Sequence, residues 1–108
     1  MSNRWPKGRM THPLINPDSA HYDRGRYSAI EALEYRATVL EQIGWCKGNI
    51  FKYDYRVGYK GTPEQDLKKK ETFEAYLALL ESLPAGVANM KVVNAYDALG
   101  IEMVYRPD

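Results

Sequence analysis

Residues 45–67 read WCKGNIFKYDYRVGYKGTPEQDL and decide the fold, because they hold most of one helix, a loop and the start of another. The first helix of this stretch should begin near Trp45 and end at Gly58, a residue type that suits a helix end. Thr62 and Pro63 suit the N-cap and first turn of the next helix. At 100° per residue, one stripe of the first helix is apolar and should face the core. That stripe consists of Cys46, Ile50, Tyr53 and Val57.

Helical spacing extends on both sides of this stretch. Upstream, Ser28 and Glu31 match a capping box. Apolar residues then recur every three or four positions up to Gly44, which suits a helix end. Downstream, apolar residues recur from Leu67 until Pro84 stops the helix. The sequence therefore predicts three consecutive helices.

The two ends of the chain are less regular. Residues 1–20 hold three prolines without hydrophobic periodicity and are interpreted as an N-terminal arm, with residues 21–108 as a single helical domain. Residues 88–99 suit a short helix ended by Gly100, and residues 101–105 alternate like a strand. A strand needs a partner, either the arm or another copy of the chain. The predicted fold is mainly α, a compact bundle of three or four helices with a short C-terminal strand if that partner is found.

Composition excludes several classes of protein. A chain of 108 residues fits one domain. Its single cysteine excludes an internal disulfide and a multi-cysteine zinc site. No apolar run approaches the ~18 residues of a membrane span, and the first ten residues lack the apolar segment of a secretory signal. We expect a reduced, cytoplasmic setting and no membrane partner.

Positive charge is concentrated in the middle of the chain. Residues 45–70 carry a net charge of +4 and residues 71–108 a net charge of −4, within an overall charge of +1. The basic centre favours phosphate-bearing partners, and the acidic third argues against coating of duplex DNA. Nine Tyr against two Phe favour apolar but wet surfaces, such as ligand grooves and subunit interfaces. Tyr is also tolerated at half-buried positions, so the excess has an ordinary structural explanation as well.

A second stripe of the central helix has the chemistry to bind a nucleotide. Arginine can grip a phosphate bidentately, and an asparagine can read a base or ribose edge. The glycine-rich loop that follows adds a point charge, close backbone approach and the free N–H groups of a helix start. The stripe is Trp45, Asn49, Lys52 and Arg56, and the loop contributes Tyr59, Lys60, Gly61 and Thr62. A tight turn with solvated lysines is the structural alternative.

The sequence gives less support for other kinds of site, namely known nucleotide-binding motifs, a reactive cysteine or a metal centre. The chain has neither a Walker A motif nor a G-x-G-x-x-G motif. Cys46 lies on the apolar stripe and is interpreted as a buried small hydrophobe. Two E-x-x-E pairs resemble the magnesium sites of all-α nucleotide pyrophosphohydrolases, but solvated helix faces and a capping Glu31 explain them more simply. The residues weighed for metals are His12, His21, Cys46, Glu31, Glu34, Glu71 and Glu74, and none is assigned as a ligand.

The central motifs resemble a small phage-encoded family. Its pattern is roughly H-Y, then G-N-x-x-K-Y-x-x-R-x-G-x-K-G, then E-D-L-K-K. The matching letters here are His21-Tyr22, the run from Gly48 to Gly61, and the run from Glu64 to Lys69. The resemblance covers about residues 20–80, with one residue inserted in E-D-L. The family, formerly of unknown function, includes the Walker-less deoxynucleotide kinase of short-tailed coliphages.

The resemblance implies a nucleotide ligand, host cytoplasm and a homo-oligomer. It implies that His21, Asn49, Lys52, Arg56, Lys60 and Lys69 contact the ligand. We expect Lys52, Arg56 and Lys60 to be catalytic if the protein is an enzyme, with Mg²⁺ on the nucleotide phosphates. His21, Asn49, Tyr59, Gly61, Thr62 and Lys69 are expected to complete the binding site.

Three functions remain open. The first is a nucleoside monophosphate kinase-like phosphotransferase. The second is a non-catalytic protein that sequesters a nucleotide and so blocks host nucleotide-signalling immunity. The third is a single-stranded nucleic-acid-binding module, in which Trp45, Tyr55 and Tyr59 stack bases. Phe51 and Tyr55, on the exposed flank of the central helix, could instead face a partner subunit.

Overall fold

The computed structural model describes residues 8–14, 29–59 and 62–104. These ranges contain four α-helices and two short strands. The helices are α1 (Ala29–Glu34), α2 (Val39–Arg56), α3 (Pro63–Glu81) and α4 (Val92–Ala98), and the strands are β1 (Gly8–Thr11) and β2 (Ile101–Val104). A 3-10 helix at Ala85–Val87 connects α3 to α4. The predicted mainly helical fold is confirmed, and no helix in these ranges has the length and apolar character needed to cross a membrane.

The start of α2 differs from the prediction of a continuous helix up to Gly44. The chain leaves α1 after Glu34 and begins α2 at a capping box on Thr38. Thr38 Oγ1 accepts from the Glu41 amide at 3.1 Å, and Glu41 Oε1 accepts from the Thr38 amide at 2.9 Å. Apolar periodicity concealed this break because Ala37, beside it, is also buried. Gly44 therefore lies inside α2, and the predicted cap Ser28 lies outside the described residues.

The other helix ends follow the predictions. Gly58, at φ 87°, takes the left-handed conformation that ends α2. Thr62 and Pro63 begin α3, although the Thr62 side chain makes no capping hydrogen bond. α3 ends at Glu81, just before Pro84. α2 and α3 pack along each other, and α4 packs against β2 and α2. The core includes Val39, Cys46, Tyr76, Leu80, Val92, Ala95 and Ile101.

The C-terminal strand pairs with the N-terminal segment. β1 and β2 are parallel, with Gly8 opposite Ile101 and Thr11 opposite Val104. This confirms the predicted strand and decides which of its two expected partners it takes. Beyond β1 the chain enters the core, where His12 is fully buried and Leu14 is 6% exposed. The division into an arm and a domain at residue 20 stays a prediction.

Candidate functional site

Two lysines meet over one aromatic ring in the groove between α2 and α3. Lys52 Nζ lies 4.6 Å, and Lys69 Nζ 5.6 Å, from the centroid of the half-buried Tyr53 ring. Within the described residues, neither lysine has an ion-pair or hydrogen-bond partner. The ring face attracts both cations, but no carboxylate in the described part of the chain neutralises them. Two exposed positive charges held at one place have the chemistry to attract an anion.

A row of rings fixes the position of Tyr53. Its ring stacks on Phe73 of α3, with centroids 6.0 Å apart and planes 23° apart. Phe73 in turn meets Trp45 edge-on, at 5.3 Å and 78°. Such pairs add specific geometry to apolar burial. Tyr53 was predicted to face the core, but it is only half-buried and lies outside the core cluster. Its ring instead supports the lysines, which the helical wheel did not indicate.

Arg56 extends the positive charge of Lys52 by one helical turn. Its Nε lies 3.7 Å from Oδ2 of Asp66, a carboxylate in the first turn of α3 that is only 3% exposed. Neither of these two atoms has a hydrogen-bond partner. A guanidinium has five N–H donors. The contact of Arg56 Nε with Asp66 therefore leaves Arg56 other N–H groups that can bind a phosphate. Asp66 thus faces Arg56, a contact that the sequence did not reveal.

Cations on the other flank of the helix pair are neutralised. Lys70 Nζ donates to Asp54 Oδ1 at 3.0 Å, and this hydrogen bond raises the pKa of Lys70. Lys47 lies 4.0 Å from Glu81. Asp54 follows Lys52 by two residues and so projects about 200° around α2. Lys52 and Lys69, in contrast, share one aromatic ring and have no counter-charge among the described residues.

The hydrogen bonds and ring contacts of the remaining predicted site residues that the structure describes do not involve Lys52 or Lys69. The half-buried Asn49 donates its Nδ2 to the carbonyl of Trp45 at 2.8 Å, so part of its amide already serves the α2 backbone. Tyr59 is 77% exposed and stacks on Tyr55 at 5.7 Å. Thr62 is exposed at the start of α3. The predicted ligand residues His21, Lys60 and Gly61 lie outside the described residues.

A buried polar cluster around Glu34 corrects the expectation of a solvated helix face. Glu34 is fully buried, and its Oε2 accepts hydrogen bonds from three side chains. Tyr76 donates its hydroxyl, Tyr96 donates at 3.0 Å, and His12 Nε2 donates at 2.9 Å. The Leu14 amide donates to His12 Nδ1 at 3.1 Å, which places the ring proton on Nε2. Glu71 and Glu74 are exposed, as expected.

The Glu34 cluster is closed to solvent and structural. Burial and the neighbouring Glu34 carboxylate raise the pKa values of Tyr76 and Tyr96, so both phenols stay protonated and donate. Burial likewise raises the pKa of the adjacent Cys46 thiol to about 12, which leaves it unreactive and confirms its prediction as a buried residue. The E-x-x-E pair was the only sequence signal for this cluster, because the partners of Glu34 come from distant parts of the chain.

One family model matches the chain. Its description is "Protein of unknown function (DUF3310)", and the match covers residues 15–75. The matched region includes α1, α2 and most of α3, and therefore the Tyr53 groove with Lys52 and Lys69. α4 and β2 lie beyond it. No curated protein and no solved structure matches the chain.

Proposed function

The chain belongs to the DUF3310 family of proteins of unknown function, and we propose that it binds a nucleotide through its phosphates in the groove between α2 and α3. The observation that supports this most directly is the pair of unneutralised lysines, Lys52 and Lys69, on the Tyr53 ring. Arg56 supplies a third positive charge one turn further along α2. Charge-assisted bonds from such groups are the usual means of holding phosphate. Lys60 and the adjoining loop would approach the same ligand.

The activity that we propose is phosphoryl transfer to a nucleoside monophosphate, as the resemblance to the Walker-less deoxynucleotide kinase implies. Lys52, Arg56 and Lys60 would neutralise and align the transferred phosphate, since positioning and charge supply most of the catalysis in this chemistry. Asp54 and Asp66 each face a cation within 4 Å. The described acids therefore do not form a magnesium site, and any Mg²⁺ would arrive on the nucleotide phosphates.

Binding without turnover is the second candidate. It is favoured by the same pairing of Asp54 with Lys70 and of Asp66 with Arg56, because a carboxylate that faces a cation is a weaker base. A phage protein of this kind in the host cytoplasm would sequester a nucleotide signal of host immunity. Single-stranded nucleic acid is the third candidate, favoured by the exposed stack of Tyr55 and Tyr59. It ranks below the others because Trp45, the third ring expected to stack bases, is half-buried against Phe73.

A calorimetric titration tests the shared premise of nucleotide binding. The double variant Lys52→Ala/Lys69→Ala should bind nucleotides at least ~10-fold more weakly than the unmodified protein, a loss of about 1.4 kcal/mol. Lys68→Ala is the matched control, because Lys68 is equally exposed on α3 beside Lys69. Equal affinity of the double variant and the control would contradict the site.

A product assay separates the candidates. The protein is incubated with ATP, Mg²⁺ and each deoxynucleoside monophosphate in turn, then denatured by heat. Formation of a diphosphate supports the kinase, whereas recovery of a bound nucleotide unchanged supports sequestration. Binding of oligonucleotides that weakens steeply with salt, without binding of mononucleotides, would favour the third candidate.

A further inference from the structure

One oxygen of the buried Asp66 carboxylate makes no hydrogen bond. Asp66 lies in the first turn of α3 and is only 3% exposed. Its Oδ2 has no hydrogen-bond partner among the described residues, and neither has the Arg56 Nε that faces it at 3.7 Å. Enclosing a carboxylate costs free energy that hydrogen bonds normally offset. Asp66 therefore holds a buried acceptor that the described part of the chain leaves unused.

Asp66 belongs to the same groove as the two lysines. Three residues separate it from Lys69, so helical spacing puts both on one face of α3. The contacts with α2 follow the same order, because Arg56 faces Asp66. Tyr53, almost one turn earlier in α2, lies under Lys69. Three residues of helix rise about 4.5 Å, so an anion held by Lys52 and Lys69 has Asp66 about one turn away, toward the start of α3.

A carboxylate at this place selects the chemical group that can lie next to a bound phosphate. It repels a second phosphate and accepts hydrogen bonds, so the group that suits it is an uncharged O–H or N–H donor. In a nucleotide the sugar is joined directly to the phosphate, whereas the base is farther away. A separation of about one helical turn therefore matches a sugar hydroxyl better than a donor on the base.

Arg56 is placed to open this acceptor. Its side chain is 40% exposed, whereas the side chain of Asp66 is almost fully enclosed. A phosphate on the lysines attracts the guanidinium, and movement of Arg56 toward it would leave Asp66 buried without this cation. Such a carboxylate is strongly destabilising unless a hydrogen-bond donor takes the place of the cation. A nucleotide with a sugar hydroxyl supplies that donor, and a nucleotide without one does not.

We propose that Asp66 recognises the sugar of the bound nucleotide, accepting a hydrogen bond from a free sugar hydroxyl while Arg56 moves to the phosphate. This recognition rests on the proposed nucleotide binding and adds a class of ligand to it. The ligands preferred are nucleotides with a free sugar hydroxyl, over dideoxynucleotides and over internal nucleotides of a DNA strand, whose 3′ oxygens are esterified. Asp66 is then a specificity-determining residue.

Calorimetric titration of the full chain with nucleotides that differ in one hydroxyl tests this recognition. The unmodified protein should bind a 2′-deoxynucleoside monophosphate at least ~10-fold more tightly than its 2′,3′-dideoxy counterpart, as loss of a hydrogen bond to a charged group predicts. All four bases are tested, and the two members of each pair share one base, so a donor on the base does not explain a difference within a pair. Equal affinities within every pair would overturn the proposal and leave nucleotide binding itself intact.

The isosteric variant Asp66→Asn should change the two affinities in opposite directions. The neutral amide attracts Arg56 less, so the dideoxynucleotide should bind ~3-fold more tightly than it binds the unmodified protein. The deoxynucleotide loses a charged acceptor, so the ratio of affinities within a pair should fall below ~3-fold. Both ligands are compared on the same variant, so a partly unfolded preparation does not change their ratio, and circular dichroism checks the fold.

Asp54→Asn is the matched control. Asp54 also faces a cation, Lys70 at 3.0 Å, but its side chain is exposed and lies on the other flank of the helix pair. This variant removes the same negative charge and should keep the ratio of the unmodified protein. A ratio that falls equally in both variants, or an Asp66→Asn protein that binds both ligands equally more weakly, would overturn sugar recognition by Asp66. If no nucleotide binds the unmodified protein, the proposed function fails and this recognition fails with it.

Discussion

Glu34 is the residue on which most of the buried polar structure depends. Taking a carboxylate out of water is costly unless hydrogen bonds compensate it. Here one oxygen accepts from His12, Tyr76 and Tyr96. Gln42 then donates to the Tyr76 hydroxyl at 3.0 Å and extends the network. Removing Glu34 therefore takes away a hydrogen-bond acceptor that three buried donors share.

Replacing Glu34 should therefore destabilise the protein strongly. Glu34→Ala is expected to lower the free energy of unfolding by roughly 3–5 kcal/mol, the range for breaking a buried polar pair from one side. Urea denaturation followed by circular dichroism measures the change. Glu74→Ala, on the exposed face of α3, serves as the control and should stay within about 0.5 kcal/mol of the unmodified protein. A loss below 1 kcal/mol for Glu34→Ala would contradict the role assigned to the cluster (~1 kcal/mol being an ordinary substitution).

At the scale of elements, the two long helices begin in different ways. α2 begins with a complete capping box between Thr38 and Glu41. α3 also begins after a threonine, Thr62, but the side chain of Thr62 makes no hydrogen bond to the helix. Pro63 instead fixes the first turn of α3, because its ring holds φ near the helical value. The threonine side chain therefore contributes more to stability at the start of α2 than at the start of α3.

This difference gives a matched pair of variants. Thr38→Ala should cost about 1 kcal/mol of stability, the usual value for losing a capping side chain. Thr62→Ala should cost only a few tenths of that amount, because it removes no capping bond. Thermal and urea unfolding of both variants measure the difference. Equal losses would show that the capping box does not determine where α2 begins.

Local sequence signals correctly predicted the helix ends that depend on one or two neighbouring residues. Gly58, Pro63 and Gly100 each marked a boundary correctly, because backbone conformation at a glycine or proline is largely a local property. The break before Thr38 was missed since apolar side chains on both sides of it face the same core. In the candidate site, helical spacing placed Lys52 and Arg56 on one stripe. It could not reveal Asp66 or the Phe73 support of Tyr53, because these contacts depend on how α3 packs against α2.

At the scale of the whole molecule, three buried groups among the described residues resist ionisation. The pKa of Cys46 rises from 9.0 to about 12 on folding. Tyr76 and Tyr96 also have pKa values raised above their ordinary 10.0, by burial first and by Glu34 second. The folded state therefore retains protons that the unfolded chain loses in alkaline solution. Stability from these groups is fully present below pH 9 and decreases as the pH rises.

Alkaline unfolding should show this order of ionisation. Each retained proton lowers the free energy of unfolding by about 1.4 kcal/mol per pH unit above the pKa of the unfolded group. The decrease should begin near pH 9 through Cys46 and steepen above pH 10 through the two tyrosines. Urea titrations at successive pH values measure it. Cys46→Ala should flatten the curve between these two pH values, and an unchanged slope there would contradict the raised pKa of the thiol.

The connections of Glu34 also set an order of events during synthesis. His12 leaves the ribosome before Glu34, whereas Tyr76 and Tyr96 follow it by 42 and 62 residues. Strand β1 likewise can pair only after β2 has been translated, because Gly8 pairs with Ile101, more than ninety positions later. A nascent chain that stops short of these residues holds a carboxylate and a strand edge without their partners. The complete buried cluster and the strand pair can therefore form only when translation has passed α4 and β2.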